Sequence, residues 1–480
     1  MDATEATAAT GATPPIDELR VRRILSVALR LGSIQLASGS QTTDVETMLR
    51  RVTAALGLAR VQAIVSFSSI SLSWIAPGDL NPTTLIHLVR DRGADFARLA
   101  ASADLARALM DRERSLDEAE AELERIEAAE APYPAWLAFV APGASGAAST
   151  VLFGGNLLEG AVTLVIGLLV QPLILRLDRS TIPPFFRLAI AVGVTAILVA
   201  VVAESRIPVT AGLVLTGGIL RFLPGNALVA GVRDLIDQSI VSGTARLSEA
   251  ILLGSAVAAG AGIGVAGAAW MGVSLQLATT GFHDWGPLVA GVSAFVAVAM
   301  YGIRLGVPRF ALPGAALIGA VASPIYLLTS PADSILATFW AAIAIGVIGR
   351  ILADRSNGPS SLWVVPAILV LLPGLAIVQA LLAPTNEARV AGLVGSIGIA
   401  FAIGIGVAAG DIVVTTIRGL RERVVSPAVD VVHEGVVVFV VRPLEQRFGP
   451  HDDTADPLEI ANLESEPPPA GDAEPDDPAP

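Results

Sequence analysis

From Tyr133 onward the chain runs in apolar stretches of about bilayer length, and this constrains everything else. A backbone in hydrocarbon has no water to bond, so each such stretch must be a helix that satisfies its own amides and carbonyls. At about 1.5 Å per residue, roughly 20 residues cross the core. Ten stretches qualify, near 136–153, 158–175, 186–203, 208–225, 248–270, 286–303, 310–328, 335–349, 362–382 and 391–413. The eighth is short and draws on its flanks. Composition agrees: the chain is 53% hydrophobic and 16% charged, with mean hydropathy +0.67, whereas soluble domains are about 25% charged. The pattern predicts a polytopic α-helical membrane protein with ten transmembrane helices.

Two of these stretches are broken at matching places. One reads Ile219-Leu220-Arg221-Phe222-Leu223-Pro224-Gly225-Asn226-Ala227-Leu228-Val229. The other reads Ile368-Leu369-Val370-Leu371-Leu372-Pro373-Gly374-Leu375-Ala376-Ile377-Val378, a constant 149 positions later. Pro removes a backbone donor and Gly loosens the chain, so each pair interrupts its helix. Breaks at corresponding places in two halves are the sequence pointer to a transporter's binding site. A plain packing kink is the competing reading, because Pro and Gly are common in membrane helices.

The Arg residues set the orientation. If the N-terminal part is cytoplasmic, Arg176, Arg179, Arg187, Arg233, Arg246, Arg304, Arg309, Arg350 and Arg355 fall on inner connections. Arg418, Arg421 and Arg423 follow on the same side, and the outer connections hold only Arg206 and Arg389. This is a positive-inside pattern with both termini cytoplasmic. Ten spans with an internal repeat give five plus five, and an odd number per repeat inverts the second half. The fold expected is therefore two inverted five-helix repeats, at 133–273 and 285–417, preceded by a small α+β cytoplasmic domain at 17–130.

Within 17–130, a first helix carries Leu25, Leu29, Ile34 and Leu36 and ends at Gly39. Thr43-Asp44-Val45-Glu46 reads as a capping-box start for a second helix ending at Gly57. Residues 61–67 and 69–75 read as a hairpin. Helices are expected near 83–91, 94–113 and 116–129, the last opened by Ser115-Leu116-Asp117-Glu118. Residues 1–15 are expected to be disordered, 418–445 to form a cytoplasmic extension, and 446–480 to be an acidic, Pro-rich disordered tail. Ten acids between Asp452 and Asp477 dominate the net charge of −13.

Candidate substrate-binding residues flank the breaks: Arg221, Leu223, Pro224, Gly225 and Asn226 at the first, Leu372, Pro373 and Gly374 at the second. Charge within a membrane is functional by default. Glu159, Asp234, Asp237 and Asp411 are accordingly candidates for proton coupling. For each a bland reading stands beside it. Glu159 and Asp411 fit interfacial sites, while Asp234 and Asp237 fit the solvated face of an amphipathic helix at 226–241, with Arg233 and Asp237 paired.

Other chemistries are excluded or unsupported. Cys is absent, which removes disulfides and thiolates, and every basic residue is Arg, which removes a P-loop lysine. His87, His283, His433 and His451 are scattered, and no basic stripe suggests nucleic acid. No cofactor or metal is expected. The Ser-rich hairpin leaves one alternative, a membrane-tethered enzyme with a hydrolytic N-terminal domain.

The order Leu31-Gly32, Ser38-Gly39, Thr43, Val45-Glu46, Leu56-Gly57 and the Ser-rich hairpin resembles the cytoplasmic domain of the threonine/serine exporter family. The Leu116–Ile126 helix, Leu152-Phe153-Gly154-Gly155 and both Leu-Pro-Gly breaks are similar as well, so the resemblance covers roughly 17–417. It implies a secondary exporter of threonine and serine, not an enzyme, driven by proton antiport with alternating access in a bacterial inner membrane. Its partners would be the lipid bilayer, a small amino acid and protons, and a homo-oligomer is compatible with it. The acidic tail lies outside the resemblance.

Overall fold

The computed structural model describes residues 18–76, 81–89, 93, 95–205, 207–272, 286–331, 333–372, 380, 383 and 385–429, with backbone only at 226 and 421–429. Expectations for 1–15, for the 430–445 part of the extension and for 446–480 lie outside these residues.

The chain opens with α1 (Glu18–Ala37) and α2 (Thr42–Ala55), then β1 (Gln62–Ser66), β2 (Ser69–Trp74), β3 (Thr83–Leu88), α3 (Phe96–Met110) and α4 (Leu116–Ala128). Gly39 at φ 93° and Gly57 at φ 100° end the first two helices, a conformation that a Cβ disfavours. The hairpin forms as expected, with Ile64 opposite Ser71. The helix expected at 83–91 is instead a third strand, antiparallel to β2 with Leu72 opposite Leu85. Thr83, Thr84 and Ile86 are β-branched, and an open edge of β2 satisfies their backbone. The Ser115–Glu118 capping box opens α4 as predicted. The one expected at Thr43 does not form: α2 begins at Thr42, after Gln41, which makes no side-chain cap. Arg23 bonds Glu120 and Asp117, and Arg30 bonds Glu127, tying α1 to α4. These bonds hold the Glu120 and Glu127 carboxyls below the usual carboxylate range. Apolar residues from α1, α2, the sheet, α3 and α4 make one core.

Eight further helices are long and apolar enough to cross a membrane: α5 (Ala135–Leu152), α6 (Leu157–Asp178), α7 (Pro184–Glu204), α10 (Ile240–Trp270), α11 (Gly286–Arg304), α12 (Leu312–Thr329), α13 (Ser334–Ser356) and α15 (Asn386–Val429, apolar through Leu420). The eighth expected span was too short as drawn, since α13 has 23 residues. In place of the other two expected spans the described residues show two shorter apolar helices. α8 covers Ala211–Leu220, and α14 (Ser361–Ala367) continues as a 3-10 turn at Ile368–Leu371. At 1.5 Å per residue such helices reach about 15 Å into a core of roughly 30 Å. Between α8 and α10 lies α9 (Gly225–Ile236). The count is thus eight long and two short apolar helices among the described residues, not ten full spans. Both short helices lie at the predicted breaks.

The order long-long-long-short-long recurs from α5 to α10 and from α11 to α15. α7 packs along α10 through small residues: a Cβ on Gly260 would sit 2.3 Å from the Ala189 carbonyl oxygen, and one on Gly264 2.3 Å from the Ala196 Cβ. α13 meets α15 the same way, with Gly346 against Val407 and Gly410 against Ile343. In both pairs small residues let the backbones approach. α5 and α11 join the two sets, and Ser145 Oγ donates to the Ala297 carbonyl at 3.0 Å.

The N-terminal layer is seated on this bundle. Phe96 and Leu99 of α3 are fully buried in the apolar cluster formed by α11–α14, worth about 1.5–3 kcal/mol each. Phe96 N–H donates to the Leu305 carbonyl, and Tyr133 Oη to the Val307 carbonyl.

The α7–α10 seam makes a clean prediction. Gly260→Val should destabilise the detergent-solubilised protein by about 1–3 kcal/mol through overpacking. Gly267→Val, where a Cβ meets nothing within 4 Å, should shift the melting temperature little.

Candidate functional site

The first break is a tight turn. α8 ends at Leu220, and the Phe222 and Leu223 amides donate to the Ile219 and Leu220 carbonyls at 2.9 and 3.2 Å. The Ile219 and Leu220 carbonyls before the break are therefore already engaged. Pro224 then caps α9. Gly225 is covered by the residue that precedes the second break: a Cβ there would lie 2.0 Å from Leu372 Cδ2. The two breaks touch, and they touch through apolar groups. Pro373 and Gly374, and the side chain of Asn226, lie outside the described residues.

One flank of the first break opens on a cavity of about 470 Å³. Arg221, Phe222, Leu223, Pro224 and Ala227 form its wall at the break, facing Tyr301 and Arg304 of α11 and Glu249 of α10. Arg221 caps the C-terminus of α8, where the carbonyl ends favour a cation. Its guanidinium lies over the Phe222 ring, 4.6 Å from the centroid. Nη1 donates to Gln171 Oε1 of α6 at 3.1 Å, while the buried Nε has no partner. A guanidinium held on one edge by an amide and unmatched on the other suits a carboxylate, the planar group its fork fits.

The four candidate acids separate. Glu159, 3% exposed, forms a capping box with Asn156 at the start of α6. Its other oxygen accepts from Thr210 N at 2.6 Å, at the start of α8. It anchors two helix N-termini, far along the chain from the break. Asp234 is fully buried and ion-paired to Arg246 at 2.9 Å, so α9 does not present a solvated polar face. Asp237 follows α9 and faces Gln41, whose amide, with its oxygen toward Arg233 and its nitrogen toward Asp237, bridges the two. The direct Arg233–Asp237 pairing expected from the i,i+4 spacing is thus replaced by this bridge. Asp411 lies 3.6 Å from Arg350, which also binds Asp354, itself bound by Arg418.

Arg233, Arg350, Asp354 and Arg418, though none of the four acids themselves, line a second, larger cavity of about 610 Å³ between the α1–α2 turn, α9 and the α13–α14 turn. Asp44 of α2 opens into it. Enclosure by surrounding protein pushes its carboxyl above the usual range, opposed by Arg233. Both cavities share Gly39 as a wall. The turn that separates them is pinned from the bundle: Arg246 Nη2 donates to the Ser40 carbonyl at 2.9 Å, and Thr42 N–H points at Asp234 Oδ1 at 3.5 Å. Asp234 thus supplies, from α9, the cap that α2 lacks in its own sequence.

Sequence reasoning missed Gln171, Arg246, Glu249, Tyr301 and Asp44. Gln171 carried a signal, as the one amide inside the expected span 158–175. Arg246 and Glu249 flank the start expected at 248, where charge reads as solvated. For Glu159 the signal was present and passed over, because Asn156 stands three residues ahead of it. The Ser-rich hairpin places Ser73 Oγ 2.8 Å from Thr84 Oγ1 on the neighbouring strand.

Residues 26–267 match the family model described as "Putative threonine/serine exporter". Residues 290–415 match that described as "Threonine/Serine exporter, ThrE". The chain belongs to the threonine/serine exporter family. Two relatives agree. A "Probable threonine/serine exporter" of Mycobacterium tuberculosis is 27% identical over 419 residues, covering 84% of this chain and 78% of the relative. A "Threonine/serine exporter" of Corynebacterium glutamicum is 26% identical over 426 residues, covering 85% and 86%. No solved structure matches. The exporter family's two models meet between 267 and 290, where α10 ends at Trp270 and α11 begins at Gly286. That is the boundary between the two helix sets.

The pinned turn is testable. Arg246→Ala leaves Asp234 buried without its cation, a loss of about 3–5 kcal/mol. Limited proteolysis should then cut between Ser38 and Thr42, where the wild type resists. Equal resistance would show that the pair does not hold the turn.

Proposed function

We propose that the protein exports threonine and serine, and that the cavity beside the first break is the substrate site. The observation that carries this reading is Arg221. It stands at a helix end inside the bundle, in a cavity, with one edge of its fork unmatched, beside the point where the two breaks meet. The substrate carboxylate binds Arg221, oriented by Gln171. Glu249, on the opposite wall, serves the ammonium.

Leu223, Pro224 and Gly225 act as a hinge, closed by Leu372, more than as ligands, and Asn226, Pro373 and Gly374 complete the two hinges. α5–α10 and α11–α15 act as two inverted halves, supported by the recurring helix order and the Arg-rich connections gathered beside the N-terminal layer. Residues 17–130 are then a cytoplasmic domain capping both cavities, in a bacterial cytoplasmic membrane. Alternating access moves one half against the other about the break contact. Export is driven by proton antiport. Asp237 and Asp411, whose charges act on Asp44 in the wall of the second cavity, are the proton-coupling carboxylates. Glu159 and Asp234 keep structural roles, which their capping bonds and ion pair support.

The test is efflux of labelled threonine and serine from loaded membrane vesicles, with and without a pH gradient. Removing a charged hydrogen-bond partner costs about 1.5–3 kcal/mol, or roughly ten- to a hundredfold. Arg221→Ala should slow efflux by at least about tenfold, and Arg221→Lys should restore it only in part because it lacks the fork. Wild-type efflux from Arg221→Ala would remove Arg221 from the site, and efflux indifferent to the pH gradient would remove the antiport.

A further inference from the structure

Resting on the reading of this cavity as the substrate site, we infer that Tyr301 is the residue that recognises the substrate's side-chain hydroxyl. Threonine and serine share with other amino acids the carboxylate and ammonium that Arg221 and Glu249 address. What distinguishes them from valine and alanine is one hydroxyl, so a selective site needs a hydrogen-bonding group committed to nothing else. Among the described residues two hydroxyls line the cavity, those of Ser38 and Tyr301. Ser38 Oγ is engaged with the Ile34 carbonyl at 2.8 Å and the Asp95 carbonyl at 3.2 Å. Tyr301 Oη has no hydrogen-bond partner among the described residues, so both its donor and its acceptor are vacant.

Its placement fits that task. The Tyr301 ring packs against the apolar clusters of both helix sets, α6–α10 on one side and α11–α14 on the other. It therefore holds the phenol at the seam where the halves meet, on α11 and across the cavity from the α8 break. Rigid aromatic packing gives the oxygen a fixed address, which selectivity requires. A phenol can donate to or accept from an alcohol, so it serves serine and threonine alike. A vacant polar group also works against the wrong substrate. Alanine or valine would leave it unmatched, and sites built to bond a hydroxyl reject analogues lacking one more strongly than apolar pockets reject a missing methylene.

The test uses the full chain reconstituted in liposomes, comparing transport of serine with alanine and of threonine with valine, in wild type and in Tyr301→Phe. The variant keeps the ring that packs both clusters and removes only the oxygen. The expected result is a wild-type preference for the hydroxy amino acids that narrows about tenfold or more in Tyr301→Phe, with alanine and valine transport unchanged. An unchanged preference overturns the assignment. So does an equal loss for all four substrates, which would mark a packing role. A wild type that moves alanine as well as serine overturns the hydroxyl assignment while leaving an amino-acid exporter standing. A wild type that moves none of the four overturns the export reading and the assignment with it.

Discussion

A helix that stops halfway through a bilayer leaves backbone groups where no water reaches them. This protein has two such helices, α8 and α14, and it brings their ends together. Leu372, the last described residue of the second, lies directly on Gly225, the first residue after the break of the first. Gly is needed there because a Cβ would overlap that leucine. The turn at 220–224 consumes its own carbonyls, and Arg221 caps the end of α8 with a cation. The contact is apolar, and the first break beside it opens to a polar cavity. A seam of that kind can hinge without exposing backbone to lipid.

The N-terminal layer depends on the same region. α9 exists because the helix restarts after Pro224, and α9 carries Asp234. Asp234 binds Arg246 and faces the amide that opens α2. The short chain from Gly225 to Arg246 therefore links the break, the Asp234–Arg246 pair and the α1–α2 turn that divides the two cavities. A buried ion pair is a costly way to add stability and a good way to fix a register, and here it fixes where the layer sits.

Much of this was legible in the sequence because the determining chemistry is local. Pro-Gly interrupts a helix wherever it occurs, so both breaks and their register could be read directly. Long apolar runs fixed the long helices for the same reason. Legibility failed where the deciding partner was distant. The segment 83–88 became a strand because β2 offered an edge. Asp234 looked solvated because periodicity shows that a face is polar but not what it meets. Tyr301 gave no pattern, since a single polar group in an apolar helix acquires meaning only from the cavity it lines. Glu159 is the instructive case: its capping partner was four letters of sequence, and the rarity of membrane carboxylates outweighed it. Membership in the threonine/serine exporter family then supplies what physics alone does not, the substrate class for which the cavity must be tested.

The central claim is that the first break borders a substrate cavity reached from the side of the N-terminal layer. The chain has no cysteine, so a single Ala227→Cys, on the cavity wall one helical turn past the break, gives a clean probe. Labelling by a membrane-impermeant thiol reagent from the face that carries the N-terminal layer, slowed in proportion to added threonine, is the expected result. A residue that labels equally fast with and without threonine, or only from the opposite face, would contradict the account.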